Sequence, residues 1–187
     1  MGAAKARAEV MQGTVRKAPI RDYLIVHLAL STGLRVSEMA NLKCGDIYIG
    51  DGMCSLVVRR GKGGRPRSVA FDGELRAHLA RYLRWKKETG EPVTDDSPLL
   101  RSSSTGGRMT TRAIQKAFKR CASLTGLSPR YSIHSLRHTH ACHLYKASGW
   151  DLRLVQKQLG HRSIARTQVY ADVVEPDVRR ALKKLYR

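Results

Sequence analysis

Apolar residues recur along most of this chain at helical spacing, three or four positions apart. The pattern predicts a mostly buried helix over residues 21–31. It predicts an amphipathic helix over 74–87, whose polar face carries Arg76, Arg81, Arg84 and Lys86. Further helices are predicted over residues 4–11, 35–42, 110–123, 135–147, 152–159, 164–170 and 176–186.

One part of the chain has the composition of strands instead. Valine-rich runs at 54–59 and 67–71 flank the glycine-rich basic turn Arg-Gly-Lys-Gly-Gly-Arg-Pro at 60–66. This arrangement predicts a β-hairpin with a cationic tip. A shorter strand is predicted at 47–49. The expected fold class is therefore mainly α with a small antiparallel β-sheet (α+β).

Charge narrows the choice of partner. The 187 residues include 35 Lys and Arg against 15 Asp and Glu, a formal net charge of +20. Such an excess favours a polyanion, with nucleic acid ahead of an acidic membrane surface. No apolar run approaches the roughly 18 residues of a membrane span. The N-terminal residues lack a signal-peptide pattern and the four cysteines form no CxxC motif, so a cytoplasmic protein with reduced thiols is expected.

Several common sources of chemistry are missing from the sequence. It contains no GxxxxGK[ST] loop, no GxGxxG after a predicted strand and no HExxH. The few acidic residues form no obvious metal or glycosidase pair. We therefore expect cations, histidines and hydroxyls to carry any chemistry, with no metal and no cofactor.

Three segments carry residues suited to phosphate chemistry. In Thr-Gly-Leu-Arg-Val-Ser-Glu at 32–38, Arg35 starts a helix beside Glu38, which can hold the guanidinium towards a phosphate. An ordinary surface ion pair explains the same two residues. In segment 133–140, His134 and Arg137 share a helix face, which suits proton transfer beside charge neutralisation. The third segment, 159–170, ends in Tyr170, although a lone tyrosine is more often a core residue than a nucleophile.

The histidines of the second segment permit two other interpretations. They are ordinary hydrogen-bonding residues of a helix, or they hold zinc, because His134 and His138, like His138 and Cys142, are four positions apart. The missing acidic partners and the adjacent arginine disfavour the metal.

Together the segments resemble the tyrosine recombinase (phage integrase) family. Its pattern TGLRxSE is met at 32–38, HxLRHT at 134–139 and LGHxSIxxTxxY at 159–170, in the family's order. The turn Gly61-Lys62-Gly63-Gly64 resembles the family's catalytic-lysine turn. The resemblance covers about residues 20 to 175 and implies the tyrosine recombinase catalytic-domain fold.

The resemblance also implies a reaction. The family cleaves and rejoins DNA strands at specific sites through a 3′-phosphotyrosyl intermediate, without metal or ATP. Tyr170 matches the nucleophile, and Arg35 and Arg137 match the arginines that clamp the scissile phosphate. In the remaining roles, His161 donates a hydrogen bond to the phosphate, His134 is the general base, Lys62 is the general acid and Glu38 orients Arg35.

The other basic residues are expected to bind double-stranded DNA through its phosphates, which gives affinity rather than sequence choice. Arg112, Lys116 and Lys119 form one stripe of the helix predicted over 110–123. The expected contact surface comprises these three with Arg59, Arg60, Arg65, Arg67, Arg108 and Arg120.

The resemblance suggests a division of the chain into an N-terminal extension or linker at 1–20, a catalytic domain at 21–174 and a C-terminal helix at 175–187. That helix packs on its own domain or on a neighbouring subunit, in the second case within a tetramer on DNA. So short an N-terminal part indicates either a fragment or a single-domain recombinase. A prokaryotic or phage protein associated with the nucleoid is expected.

Three rival functions stay open at this point. A type IB topoisomerase uses similar chemistry but relaxes supercoils without exchanging strands, and the third motif favours the recombinase. A DNA-binding module that has lost activity is disfavoured because every catalytic position is filled. A zinc protein built on the histidine and cysteine cluster is the last alternative.

Overall fold

The computed structural model describes residues 17–50, 54–59, 66–161 and 163–173, and most of these residues lie in helices. This confirms the predicted fold class. In chain order the helices are α1 (Lys17–Thr32), α2 (Val36–Asn41), α3 (Gly73–Glu88), α4 (Thr111–Leu124), α5 (Ile133–Ala147), α6 (Leu152–Leu159) and α7 (Ala165–Val173). The helices predicted over 4–11 and 176–186 lie outside the described residues. None of the described helices has the length and apolarity that a bilayer crossing requires.

The predicted hairpin is present within a three-stranded antiparallel sheet. Strands β1 (Ile47–Tyr48), β2 (Ser55–Val58) and β3 (Arg67–Ala70) lie in that order. Leu56 pairs with Val69, so the two apolar side chains point into the core together. The register ends with Val58 opposite Arg67. The tip of the hairpin, including Lys62, lies outside the described residues.

Helix α1 is the centre of the larger of two apolar clusters. Leu24, Ile25 and Leu28 are fully buried, and α1 packs against α3, α4 and α5. A helix surrounded on several sides needs apolar residues around most of its circumference, as the sequence of α1 has. A smaller second cluster joins α5, α6 and α7, and its members are Ala141, Tyr145, Val155, Leu159 and Tyr170.

Two helix boundaries differ from prediction in ways that affect the site. Helix α5 begins at Ile133 rather than at 135, because the Ser135 hydroxyl accepts a hydrogen bond from the Ser132 N–H and closes the first turn two residues earlier. Helix α7 begins at Ala165 and continues to Val173, so Tyr170 lies inside a helix rather than at its end.

Lys86 was predicted on the exposed polar face of its helix, and that prediction is wrong. Its side chain is fully buried. The Nζ atom donates to Glu91 Oε2 at 3.0 Å and to the Pro98 carbonyl at 3.2 Å. Helical periodicity assigns Lys86 to the polar face of α3, but it does not show that the loop carrying Glu91 and Pro98 covers this residue.

We expect Lys86→Met to destabilise the protein severely. The change leaves the buried Glu91 carboxylate without its cation, and breaking a buried pair from one side costs about 3–5 kcal/mol. Chemical denaturation measures the effect, with Lys87→Met, an exposed neighbour, as the matched control. Adding Glu91→Gln should recover part of the loss. Equal stability of the two lysine variants would contradict the importance of the pair.

Candidate active site

The turn between α1 and α2 brings the predicted arginine segments together. Gly33 adopts φ +62°, and its carbonyl accepts a hydrogen bond from Arg137 Nη1 on α5. A Cβ at Gly33 would lie 2.6 Å from His140 Cδ2 and 2.8 Å from Leu159 Cδ2. Glycine is therefore needed here twice, for the left-handed backbone and for the close approach of α5 and α6.

Arg137 is a buried cation held by uncharged groups. It is 2% exposed. Its guanidinium donates to the Gly33 carbonyl, to the Leu159 carbonyl at 3.0 Å and to His161 Nε2 at 2.9 Å. Burial and the nearby Arg35 lower the pKa of Arg137 to about 10. The residue stays charged at neutral pH, and its hydrogen-bond partners within the described residues include no carboxylate, so the pocket favours an incoming anion.

His161 connects Arg137 to α7. Its Nδ1 lies 3.0 Å from the Thr167 hydroxyl oxygen. Because an arginine only donates, His161 Nε2 accepts from Arg137, and Nδ1 carries the proton and donates to Thr167. Burial and the charge of Arg137 lower the pKa of His161 to about 4, so the ring is neutral at pH 7.

Tyr170 lies on α7 beside the same groups. It is 8% exposed. Its ring stacks on that of His161, with centroids 6.3 Å apart, and packs at 5.0 Å against the ring of His138. Burial raises the pKa of Tyr170, while the charges of Arg137 and Arg35 act against that rise. The phenol is protonated at neutral pH, and its attack on any electrophile needs a proton acceptor.

Glu38 holds Arg35, as the sequence predicted. Its Oε2 accepts from the Arg35 backbone N–H at 2.8 Å, and its Oε1 accepts from Arg35 Nη1 at 2.9 Å. Burial acts to raise the pKa of Glu38, but the bonds from Arg67 and Arg35 outweigh it and leave that pKa below its usual value. The carboxylate is thus ionised and fixed beneath the Arg35 side chain.

Arg67, which the sequence analysis expects on the DNA-contact surface, is bonded to Glu38 within the protein. Its guanidinium forks onto Glu38, with Nη1 at 2.8 Å from Oε1 and Nη2 at 3.0 Å from Oε2. The two residues are 29 positions apart, and no local pattern in the sequence links them.

His134 lies in the first turn of α5 and is exposed. Partial burial and the charges of Arg137, His138 and Arg35 lower its pKa, so it is neutral at pH 7 and able to accept a proton. The α5 histidine whose ring packs on Tyr170 is His138, to which the sequence analysis assigns no role in the proposed reaction. The spacing of one helical turn from His134 was the available signal.

The rival zinc interpretation finds no cluster to support it in the described part of the chain. No three His, Cys, Asp or Glu side chains converge there as a metal would require. His140 Nδ1 instead lies 2.9 Å from the Leu30 carbonyl. Cys142 Sγ lies 3.9 Å from His138 Nδ1, which is a weak contact.

The expected DNA-contact residues divide into three groups. Most of the described ones already have protein partners: Arg59 with Asp46, Arg108 with Asn41, Lys119 with the carbonyls of Pro129 and Tyr131, and Arg120 with Asp22. Arg112 and Lys116 are exposed on α4. Arg60 and Arg65 lie outside the described residues, with Lys62.

Comparisons with known proteins agree with this geometry. The model of the phage integrase family matches residues 5–175. The chain is 35% identical over 173 residues to tyrosine recombinase XerA of Pyrococcus furiosus, covering 91% of this chain and 56% of that protein. It is 36% identical over 162 residues to tyrosine recombinase XerD of Ralstonia nicotianae, covering 86% and 51%. The chain thus spans about half the length of these curated relatives.

Two solved structures have the same fold. A crystal structure of XerA recombinase superposes with a TM-score of 0.71 at 30% identity, covering 99% of this chain and 60% of that one. XerH site-specific recombinase bound to its difH substrate in a pre-cleavage complex gives 0.73 at 26% identity, covering 91% and 47%.

We expect Gly33→Ala to disturb the site through packing as well as backbone strain. Gly90→Ala is the matched control, because Gly90 has φ +71° but a Cβ there meets nothing within 4 Å. The left-handed backbone costs each variant about 1–2 kcal/mol. Overpacking adds roughly 1–3 kcal/mol at Gly33 alone. Chemical denaturation of both variants checks this, and equal losses would show that the contacts of Gly33 are not required.

Proposed function

Because this chain belongs to the phage integrase family, we propose that it is the catalytic part of a site-specific DNA recombinase. The observation that carries the proposal is the convergence of Arg137, buried and bonded only to uncharged groups among the described residues, with Arg35, His161 and Tyr170. A phosphodiester supplies the negative charge that this pocket lacks. The catalytic domain is assigned to residues 21–174, preceded by an extension or linker. A protein with this substrate is expected at the nucleoid, in the cytoplasm.

The two arginines stabilise the transition state in this proposal. Arg137 is fixed by its carbonyl partners before the phosphate arrives, and Arg35 is fixed by Glu38. Attack on the phosphorus gathers extra negative charge on the non-bridging oxygens, and preformed guanidinium donors stabilise that charge without reorganising. Loss of one such donor in an enzyme typically costs about 10²–10³ in rate.

His161 is proposed to change its hydrogen bonding when phosphate binds. The proton of the neutral ring is on Nδ1, and Nε2 accepts a hydrogen bond from Arg137. In this tautomer Nε2 has no proton to donate to a phosphate oxygen. A phosphate opposes the positive charges of Arg137 and Arg35, which lower the pKa of His161. The bound anion therefore raises the proton affinity of the ring and favours a proton on Nε2, which then donates to the phosphate.

Strand cleavage is a single displacement at the phosphorus atom, in which the Tyr170 oxygen replaces the 5′-oxygen. The Tyr170 oxygen forms a bond to the phosphorus while its proton passes to His134, and the bond from phosphorus to the 5′-oxygen breaks. Lys62 gives that oxygen its proton. The 3′-phosphotyrosyl link conserves the energy of the phosphodiester, so a 5′-hydroxyl can reverse the step without ATP or a metal.

The position of the hairpin supports the assignment of Lys62. Its last described pair is Val58 opposite Arg67, and Arg67 is bonded to Glu38 beside Arg35. The strand ends on either side of residues 60–65 therefore lie near Arg35, which makes Lys62 our candidate for the general acid.

Double-stranded DNA is the proposed partner, and the exposed face of α4 is the clearest contact surface. Arg112 and Lys116 share one face of that helix, and a net charge of +20 predicts strong salt dependence of binding. Further proposed contacts are Arg59, Arg60, Arg65, Arg108 and Lys119. Those of them that the structure describes have protein partners, which they exchange for phosphates when DNA binds.

Covalent trapping tests the proposal. Wild-type protein in EDTA is mixed with a library of nicked duplexes, and we expect a nucleotide-modified peptide containing Tyr170. Tyr170→Phe should form no adduct and bind DNA unchanged within about twofold, because the hydroxyl acts chiefly in the transition state. Tyr48→Phe, at an exposed position, is the matched control. DNA binding by the wild type without any adduct would favour a binding module, and an adduct with Tyr170→Phe would identify a different nucleophile.

Self-association on DNA, in a tetramer linked by the C-terminal helix, is the last part of the proposal. Its basis is the apolar stripe of Val178, Leu182 and Leu185 in the sequence. We expect removal of residues 175–187 to leave binding of one protomer intact and to abolish larger complexes, measured by light scattering with the trapped duplex. A truncated protein that assembles as the full chain does would exclude this role for the helix.

A further inference from the structure

The Glu38 carboxylate accepts hydrogen bonds from both Arg35 and Arg67, but the two guanidinium groups bind it with different geometry. Arg67 takes both oxygens of Glu38 through a planar fork, whereas the Arg35 guanidinium bonds only to Oε1. The pair of Arg67 and Glu38 is largely removed from water, with side chains 15% and 4% exposed. A bidentate pair in such surroundings has a fixed geometry.

Because Arg67 takes both oxygens of Glu38, most N–H groups of the Arg35 guanidinium are not bonded to that carboxylate. Its guanidinium has five N–H groups, of which one is bonded to Glu38, and its side chain is one-quarter exposed. If Arg67 were absent, both oxygens of Glu38 would be open to the Arg35 fork. Arg35 would then be drawn onto the carboxylate and turned from the position where a phosphate binds.

Arg67 also contacts the segment that presents His161. A Cβ on Gly160 would lie 2.6 Å from Arg67 Nε and 2.7 Å from its Cδ, so the side chain crosses directly over this glycine. Gly160 has φ +65° and ends α6 immediately before His161. Arg67 Nε is buried without a hydrogen-bond partner among the described residues. Burying a donor unsatisfied is unfavourable, so the forked bond and the packing must together hold this side chain in place.

We propose that Arg67 is a positioning residue of the active site, which occupies Glu38 so that Arg35 stays available to the scissile phosphate and which fixes the base of the hairpin against the Gly160–His161 turn. The inference rests on the proposed DNA cleavage. It adds a residue outside the six proposed to touch the phosphate or move its protons, and it assigns Arg67 no contact with DNA.

The test compares Arg67→Met and Arg67→Lys with Arg84→Met, which removes an exposed charge from α3. Single-turnover cleavage is measured on the duplex recovered by trapping, beside the affinity for that duplex. Positioning groups of this kind typically contribute about 10–100-fold, so we expect Arg67→Met to slow cleavage by about 30-fold with DNA affinity within threefold. Arg67→Lys should recover part of the rate, since it restores the charge but not the fork.

The pH profile separates positioning from a general structural effect. The groups that face Glu38 are Arg35 from its own helix, Arg67 from β3, Arg137 from α5 and, along the adjoining groove, Lys43, Asp46, Arg59 and Arg108. Because Arg67 helps to keep the Glu38 carboxylate ionised, its loss should move to higher pH the part of the acid limb that Glu38→Gln removes from the cleavage profile. In a Glu38→Gln background, Arg67→Met should neither shift that limb nor slow the reaction more than about threefold further, since coupled residues are not additive.

Each result has a distinct meaning. Cleavage by Arg67→Met within threefold of the wild type would overturn the proposal, as would a slow variant with an unshifted acid limb. A rate loss accompanied by an equal loss of affinity would make Arg67 a DNA contact instead. If Arg67→Met does not fold, the Arg67→Lys variant decides, and full activity there would overturn the proposal. A wild-type protein that cleaves no duplex would remove the proposed function and this inference together.

Discussion

The buried charge of Arg137 is the constraint on which the rest of the site depends. A guanidinium removed from water needs compensation, and this one is compensated by the carbonyls of Gly33 and Leu159 and by an imidazole nitrogen. Those three partners come from the α1–α2 turn, the end of α6 and the segment that follows it. The same bonds that make the burial tolerable therefore fix two separate parts of the chain, the α1–α2 turn and the segment from Leu159 to His161, against α5. They also leave the pocket short of negative charge, which suits the phosphodiester proposed as its substrate.

The arrangement of carboxylates around the pocket is equally specific. Glu38 lies close enough to orient Arg35 but engages it through only one guanidinium nitrogen, while Arg67 takes both oxygens. A second carboxylate beside Arg137 would have made the protein easier to fold and the pocket less able to bind an anion. Among the described residues, the carboxylate of the site thus lies on the Arg35 side, and the hydrogen-bond partners of Arg137 are uncharged.

Local signals in the sequence predicted the elements and much of the site. Helical periodicity placed α1, α3 and α4 within a few residues, glycine and valine content identified the hairpin, and the spacing of Arg35 and Glu38 predicted their contact. What failed were interactions between distant residues. Lys86 is buried because Glu91 and Pro98 fold over it, and Arg67 on β3 reaches Glu38 on α2. Periodicity reports which face a residue occupies but not what covers that face. The candidate catalytic residues were identified by resemblance to a family, whereas the connection of Arg137 through His161 to Thr167 is visible only in the folded structure.

The division of the apolar interior into two clusters has a consequence for the order of events on DNA. Arg35 and the hairpin are anchored to the large cluster around α1, whereas α7 and its tyrosine belong to a cluster with only five buried members. Free energies of local opening follow the amount of buried apolar contact, so α7 detaches at lower cost than the helices beneath the arginines. Opening of α7 would break the contact of His161 with Thr167 but would leave the pair of Arg35 and Glu38 in place. For the proposed recombinase, this order means that a DNA strand binds the arginines before Tyr170 attacks it, and that cleavage depends on the docking of α7.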